Sequence, residues 1–390
     1  MRVTDFKQPA EFRDYLRFII RKYRNESNTG KIVNFEESAL LDESNIVSLG
    51  LGALGGKGRG LAFINTLIYN LNFSDLIPNI NIRTPRTSII GTEEFDIFLE
   101  KNNLFDVIHG NYSYDEIRQM FLVGELSYNL EKKLKSLLKV LRKPLAVRSS
   151  SLLEDSTTQP FSGIFETFLL PNNTEDFKVR YKHLTDAIKL VYASIYSNES
   201  RSYFEAIHYK VEEEKMAIVI QEVVGDTYEN YFYPHISGIA QSHNYYPIAH
   251  MEPEDGFAIA ALGLGHYVVN GEKAYRFSPK YPDLEVSSPR NLFKDSQVEF
   301  IALDLDNQDS NLFKEGSETN LRHLSIEESE KHKTLNHLAS VYDPDNDTIT
   351  PGLDSYGPRI LNFANILKYG YAPLAQTLEF ILDVGREALG

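Results

Sequence analysis

The 390-residue sequence contains no cysteine. Disulfide bonds, thiolate nucleophiles and metal sites with cysteine ligands are therefore excluded. Long apolar runs are also missing, and none approaches the ~20 residues of a membrane-spanning helix. The first residues, MRVTDFKQPAEF, lack the apolar core of a signal peptide. We therefore expect a cytoplasmic protein with no membrane segment.

Positive charge is scarce: 40 Lys and Arg stand against 55 Asp and Glu, which gives a net charge of −15. Binding to a nucleic-acid backbone needs a basic surface, so no nucleic-acid partner is expected. The negative net charge does not exclude a local basic pocket for a nucleotide. The apolar fraction of 42% is typical of a soluble globular protein. A chain of this length exceeds one ordinary core, so two or three subdomains are expected.

A glycine-rich segment follows a short strand predicted at residues 46–49. It places Gly50, Gly52, Gly55, Gly56, Gly58 and Gly60 around a single cation, Lys57. A helix is predicted from about Leu61. Successive backbone N–H groups before a helix N-terminus suit an anionic phosphate. The alternative is a flexible surface loop that merely separates a strand from a helix.

Two known phosphate motifs can be tested on this segment. A Walker A loop needs Ser or Thr after its lysine, and this chain has Gly58 there. The dinucleotide fingerprint G-x-G-x-x-G is met at 50, 52 and 55, but Asp75 is the only acidic residue near the required offset. An oxidoreductase interpretation rests on those glycines alone and leaves Lys57 and Arg148 without a role.

A second segment, PLAVRSSSLLEDSTTQPFSGIFETFL at 144–169, begins with a predicted strand that delivers Arg148 and the hydroxyls of Ser149, Ser150 and Ser151. An arginine beside hydroxyls and N–H groups offers several donors to a phosphate. The turn at Ser162-Gly163 would let the backbone approach a ligand closely. The alternative is that Arg148 pairs with a nearby acidic residue and the serines form a turn.

A third segment, KMAIVIQEVVG at 215–225, contains a continuous apolar run from Ala217 to Ile220, as expected of a buried strand. It ends in Gln221, Glu222, Val223 and Val224, whose backbone groups could frame a flat heterocycle. An ordinary sheet strand is the alternative.

The remaining pattern alternates helices and strands. Paired strands are predicted at 237–240 and 256–271, and Asp343, Asp345 and Asp347 are interpreted as a turn before a strand. Helices are predicted at 11–24, 93–101, 113–123, 128–142, 183–208 and 372–388, and one after Ser325. The expected divisions are an N-terminal helix and link (1–45), a glycine-rich and helical subdomain (46–142), a strand-rich subdomain with the ligand contacts (143–281) and a C-terminal α/β segment (282–390).

Taken in order, LGGKGRGLAFINTL, LAVRSSSLLEDSTTQPFSGIFETFL and VIQEVVG resemble the ATP-binding domain of the phosphoenolpyruvate synthase and pyruvate phosphate dikinase family. The resemblance is strong over about residues 49–281. It implies an α+β, ATP-grasp fold in which two lobes close on ATP and Mg²⁺. By the same resemblance Lys57 and Arg148 would be catalytic and bind the phosphates. Gly55, Gly56 and Ser149 would join them, the Ser162-Gly163 turn would cover the triphosphate, and Gln221 to Val224 would meet the adenine.

Family members transfer phosphate to a histidine on a swivelling domain, and a barrel domain passes it to pyruvate. None of the ten histidines lies in the Gly-Gly-x-x-x-His setting of that carrier, and no barrel follows. Many relatives have Glu at the position of His266, and the dikinases have Arg near Gln241. The magnesium-binding strand would come after Gly390, so a truncated chain is expected. The predicted function is the ATP-binding module of a phosphoenolpyruvate synthase-like phosphotransferase, incomplete without its carrier and barrel partners. The alternative is a non-catalytic nucleotide-binding or regulatory module.

Overall fold

The computed structural model describes Glu11, Tyr15 and residues 30–389, except positions 72, 111, 152–162, 272, 285–286 and 308–309. Apart from Glu11 and Tyr15, the helix predicted at 11–24 lies outside the described residues, and so does the predicted site residue Ser162. The chain forms two compact units. Unit A contains the described residues from 30 to 223 together with Leu305–Asn320, and unit B contains Glu11, Tyr15 and the described residues of 224–304 and 321–389.

Helices and strands alternate along both units. The helices are α1 Gly55–Leu71, α2 Phe73–Leu76, α3 Thr92–Lys101, α4 Phe105–His109, α5 Tyr114–Val123, α6 Tyr128–Val140, α7 Phe177–Ala193, α8 Asn198–Ala206, α9 His266–Val269, α10 Pro289–Asp295, α11 Leu312–Glu315, α12 Ile326–Lys331, α13 Ala364–Leu367 and α14 Leu374–Leu389. The strands are β1 Ile32–Asn34, β2 Ile46–Ser48, β3 Thr87–Ile90, β4 Leu145–Ser150, β5 Thr167–Leu170, β6 Ala217–Glu222, β7 Asp226–Tyr228, β8 Tyr231–Tyr233, β9 Ser237–Gln241, β10 Phe257–Ala261, β11 Tyr275–Phe277, β12 Glu299–Asp304, β13 Leu321–Ser325, β14 Ala339–Asp343, β15 Thr348–Pro351 and β16 Arg359–Leu361.

Unit A is built on a six-stranded mixed sheet in the order β1-β2-β3-β6-β4-β5. Strands β1, β2 and β3 run parallel, whereas β6 lies antiparallel to both β3 and β4. The central strands β4 and β6 are largely buried on both faces because helices cover the sheet on both sides. The strand order brings β4 beside β6, although 66 residues separate the end of the first (150) from the start of the second (217).

The two faces of this sheet have different cores. One face contributes Val147, Ile218 and Ile220 to a large cluster with apolar residues of α3, α5, α6 and α7. On the other face a small cluster joins Ile46, Ile89 and Val219 to residues of the α1 segment such as Leu61. Because side chains alternate along a strand, the second face also carries Arg148, which is directly opposite Val219 in β6. Helix α1 therefore lies on the face that carries Arg148.

Unit B contains three smaller sheets. Their orders are β11-β10-β9, β13-β12-β8-β7 and β15-β14-β16, and neighbouring strands in each sheet are antiparallel. Tyr233, Phe300 and Phe363 are fully or almost fully buried in the shared core. Within the described part of the chain, no helix has the length and apolar character that a membrane crossing requires. The α+β class predicted from the sequence is confirmed.

Most element predictions are confirmed, and three are wrong. Of the strand predicted at 256–271, only β10 at Phe257–Ala261 forms, and His266–Val269 is the helix α9. Helix α1 begins at Gly55, not near Leu61, because contacts with β4 overcome the poor helix propensity of glycine. The single helix predicted at 183–208 is two helices, α7 and α8, joined by a 3₁₀ turn at Ser194–Tyr196. Ser197 caps α8 by accepting a hydrogen bond from Ser200 N at 3.1 Å. The four divisions expected from composition remain a prediction.

Candidate functional site

The glycines at the start of α1 let the helix begin against the end of β4. Gly55 has φ +70°, and a Cβ there would lie 1.9 Å from the carbonyl oxygen of Ser150. The N–H of Gly56 donates to the carbonyl of Ser151 at 2.8 Å. The glycine-rich segment is therefore packed tightly on the serine segment, and the close approach needs a residue without a side chain. The flexible-loop alternative fails for this part of the segment.

Ser150 joins the two motifs more closely than the sequence indicated. Its hydroxyl accepts from the N–H of Gly58 at 3.0 Å and donates to the carbonyl of Leu54 at 2.7 Å. Ser150 is fully buried. A hydroxyl that both accepts and donates satisfies polar groups at the first turn of a helix. The sequence indicated Ser150 only as one of the hydroxyl residues that follow Arg148. No local pattern indicated that its hydroxyl would accept from the N–H of Gly58 in α1.

Lys57 lies beside the residue that follows Arg148. Its Nζ donates to Ser149 Oγ at 3.2 Å, although 92 residues separate the two along the chain. Ser149 is fully buried. The contact brings the lysine of the glycine-rich segment to the end of β4, as the sequence prediction of a shared phosphate site requires.

Arg148 lies half-buried on the α1 face of the sheet. It is opposite Thr167 in β5 and Val219 in β6. Gln221 shares that face and pairs with Ala146, two residues before Arg148 in β4. The positions of Gln221 and Ser150 are therefore four residues apart along the strand direction, or roughly 13 Å at ~3.3 Å per residue. That length is comparable with an extended nucleotide.

The segment from Gln221 to Val224 uses several of its polar groups internally. Gln221 Nε2 donates to Thr87 Oγ1 at 2.9 Å. The N–H of Glu222 donates to the carbonyl of Arg86 at 3.0 Å, and the N–H of Val223 donates to that of Pro144 at 2.8 Å. Val224, the first residue of unit B, is 64% exposed.

Glu222 is the one residue of this segment that has a shifted pKa. Partial burial raises the pKa of its carboxyl, and the nearby cations Arg86 and Lys143 act in the opposite direction. Arg86 also pairs with Glu43 at 2.7 Å. Glu222 therefore lies in a mixed charge cluster at the end of β6, where the cost of burial exceeds the attraction of the cations.

Gly163 is exposed, with φ +82°, and no atom of the described residues lies within 4 Å of an added Cβ. Its backbone conformation favours glycine. Among the predicted site residues of unit A, the structure brings together Gly55, Gly56, Lys57, Ser149 and the neighbouring Arg148. Gln221 and Glu222 lie toward the other end of the same strands. Two further residues discussed in the sequence belong to unit B: Gln241 ends β9 and His266 opens α9.

The described residues contain no group of three or more His, Asp or Glu side chains arranged to hold a metal ion. The sequence assigned no metal ligand in this chain. At nucleotide sites Mg²⁺ commonly binds one or two carboxylates together with phosphate oxygens and water.

Comparison with known proteins identifies the family. The family model for the AMP/ATP-binding domain of pyruvate phosphate dikinase matches residues 51–344. The chain belongs to this family. The match includes the start of α1, Arg148 and β6, so the elements of the candidate site fall within the pyruvate phosphate dikinase AMP/ATP-binding domain.

Two curated relatives agree with that assignment. An uncharacterized phosphotransferase of Bacillus subtilis, YvkC, is 28% identical over 190 residues, which are 48% of this chain and 20% of the relative. A phosphoenolpyruvate synthase of Aeropyrum pernix is 28% identical over 169 residues, 43% of this chain and 18% of the relative. The matched regions span about one fifth of these relatives. The chain thus carries an AMP/ATP-binding domain of this family.

Proposed function

We propose that this chain is the ATP-binding module of a phosphoenolpyruvate synthase-like phosphotransferase, with an ATP-grasp fold, that passes a phosphoryl group from ATP to a histidine of a carrier domain. The observation that carries the proposal is the contact of Lys57 with Ser149, beside Arg148. A lysine in the first turn of a helix, beside the strand end that carries Arg148, suits the charge that must be neutralised as a phosphoryl group moves. Mg²⁺ would accompany ATP and bridge its phosphates.

The second part of the proposal concerns the orientation of the nucleotide. The adenine would lie near Gln221 to Val224, and the phosphates would lie near Gly55, Gly56, Lys57, Arg148 and Ser149, covered by Ser162 and Gly163. Because the N–H groups of Glu222 and Val223 donate within the sheet, an adenine contact there would use carbonyl oxygens or the backbone of Val224. An extended nucleotide along β4 and β6 fits the spacing of the two groups.

Isothermal titration calorimetry with MgATP tests the phosphate assignment. Lys57→Ala and Arg148→Ala should each weaken binding by ten- to a hundredfold, since a lost charge-assisted contact costs ~1.5–3 kcal/mol. Lys135→Ala is a suitable control, because Lys135 lies exposed on α6 and pairs with Glu131 at 3.3 Å. If both site variants bind MgATP as tightly as the control does, the phosphate assignment is wrong.

A non-catalytic nucleotide-binding module is the second candidate. It is favoured by the hydrogen bonds that Gly56 and Gly58 already donate to Ser151 and Ser150, because donors engaged within the protein are not offered to a phosphate. The two candidates differ in turnover. Release of ADP or AMP from MgATP, in the presence of a histidine carrier domain of a relative, supports the phosphotransferase. Binding of MgATP without any turnover supports the second candidate.

A further inference from the structure

An exposed face of a small sheet in unit B carries an arginine that has no acidic partner among the described residues. Arg276 lies in β11, opposite Ile259 of β10, and Ile259 is in turn opposite Ile239 of β9. Cross-strand neighbours share one face of a sheet, so these three side chains lie together. Arg276 and Ile239 are exposed, and Gln241 adds an exposed amide at the end of β9.

The guanidinium of Arg276 is held in a fixed position. Its Nη2 donates to Asn244 Oδ1 at 2.8 Å, and its Cζ lies 3.8 Å from the ring centroid of Phe257. Asn244 is only 2% exposed. The same Oδ1 accepts from the N–H of Tyr246, and the N–H of Asn244 donates to the carbonyl of Pro253. The group that holds the arginine is thus itself fixed by the backbone of its loop.

The charge of Arg276 is not neutralised by a carboxylate. Within the described residues its one hydrogen-bond partner is the neutral amide of Asn244. By contrast, three other arginines of the same unit pair with a carboxylate: Arg322 with Asp304 at 3.0 Å, Arg359 with Glu330 at 2.7 Å and Arg386 with Asp383 at 3.0 Å. The protein has a net charge of −15, so acidic partners are plentiful. An arginine that is stacked, fixed by a neutral partner and exposed keeps free N–H donors for an external anion.

We propose that Arg276, stacked on Phe257 and held by Asn244, forms an anion-binding patch on the β9-β10-β11 sheet that takes a phosphate group. A planar guanidinium offers paired N–H donors that match two phosphate oxygens. Phe257 covers one face of the cation, which lowers its hydration and leaves its edge for the ligand. The exposed amide of Gln241 supplies a further donor on the same face. The patch lies wholly within unit B and does not depend on the proposed ATP site.

Calorimetric titration with inorganic pyrophosphate tests the patch in the full chain. To remove the proposed ATP phosphate contacts, the titration uses a Lys57→Ala, Arg148→Ala background. That background should still bind pyrophosphate, and adding Arg276→Gln should weaken the binding tenfold or more. Arg276→Lys keeps the charge but loses the planar fork, and we expect it to weaken binding as well. Arg322→Gln is the matched control, because that arginine already pairs with Asp304.

The source of the phosphate group is read from a second titration, with MgATP and the parent chain. A weaker affinity for MgATP in Arg276→Gln assigns the patch to a phosphate of the nucleotide, whereas an unchanged affinity assigns it to a free anion. Melting temperatures of all variants check that the loop at Asn244 stays folded. Equal pyrophosphate affinity with and without Arg276 overturns the proposal, and so does a failure of the background chain to bind pyrophosphate. Neither outcome depends on whether Lys57 and Arg148 contact ATP.

Discussion

At the scale of single residues, the chemistry of the candidate site depends on which polar groups are already engaged. Ser150 holds the first turn of α1 with both its accepting and donating positions. Lys57 donates to Ser149. The serine hydroxyls thus hold the start of α1, and in the proposed function the phosphate contacts fall to the cations Lys57 and Arg148.

Glu222 gives a prediction at this scale. Burial raises the pKa of its carboxyl, so the folded protein holds the proton more tightly than the unfolded chain does. The stability from this group is full below the unfolded pKa of about 4.3 and is lost as pH rises through the folded value. Because Gln cannot ionise, Glu222→Gln should be more stable than the parent near neutral pH. The difference should vanish at about pH 4, which thermal melts across pH can measure.

Glu116→Gln is the control of opposite sign. Hydrogen bonds from Ser113 lower the pKa of Glu116, so its stabilisation is present above the unfolded pKa and lost as pH falls. That variant should melt below the parent at neutral pH. A Glu222→Gln variant that also melts lower at neutral pH would show that Arg86 and Lys143 outweigh the burial of the carboxylate.

At the scale of helices and strands, the sequence predicted those elements whose apolar residues recur at the spacing of a helix or a strand. Helix α6 and strand β6 follow from apolar spacing alone, and their predicted positions agree with the structure within two residues. The start of α1 does not follow, because a run of glycines is a poor helix former and its helical state depends on Ser150 and Ser151, more than 90 residues away. The contact of Lys57 with Ser149 likewise joins residues 92 positions apart and does not follow from local sequence. The residue types in the motifs indicated which side chains to consider, whereas the tertiary fold decides which atoms they contact.

Substitutions at two glycines of α1, Gly55 and Gly60, test the effect of packing against β4 separately from the effect of helix propensity. Gly55→Ala puts a Cβ 1.9 Å from the Ser150 carbonyl at φ +70°, so the helix must move away from β4. Gly60→Ala meets no atom within 4 Å and replaces a weak helix former. We expect Gly55→Ala to lower the free energy of unfolding by several kcal/mol, in the range of severe point mutations at ~4 kcal/mol or more. Gly60→Ala should raise it by about 0.5–1 kcal/mol.

Urea denaturation with a constant m-value measures both changes. Similar effects of the two substitutions would contradict the tight packing of α1 on β4. Gly55→Ala should also weaken MgATP binding, because it displaces Lys57 from the end of β4, whereas Gly60→Ala should leave it unchanged.

At the scale of the whole molecule, the net charge of −15 opposes the approach of an anionic nucleotide. This repulsion acts over the Debye length, which falls from ~30 Å at 0.01 M salt to ~8 Å at 0.15 M. The proposed contacts of Lys57 and Arg148 with bound phosphates would act over a few ångströms and would be screened much less. Salt should therefore change the rate of encounter more than the lifetime of the complex.

We accordingly expect the association rate constant of MgATP to rise several-fold between low and physiological salt, near the lower end of the ~10–10³ range of electrostatic effects on association. Stopped-flow kinetics in the two buffers measures it, with adenosine as the uncharged control whose rate should not change. If the association rate constant of MgATP instead falls as salt rises, the electrostatic field of Lys57 and Arg148 reaches beyond the site. That field would then attract the nucleotide despite the negative net charge of the protein. In that case Arg148→Ala should reverse the slope, because removing one of two local cations leaves the net negative field of the chain to control the encounter.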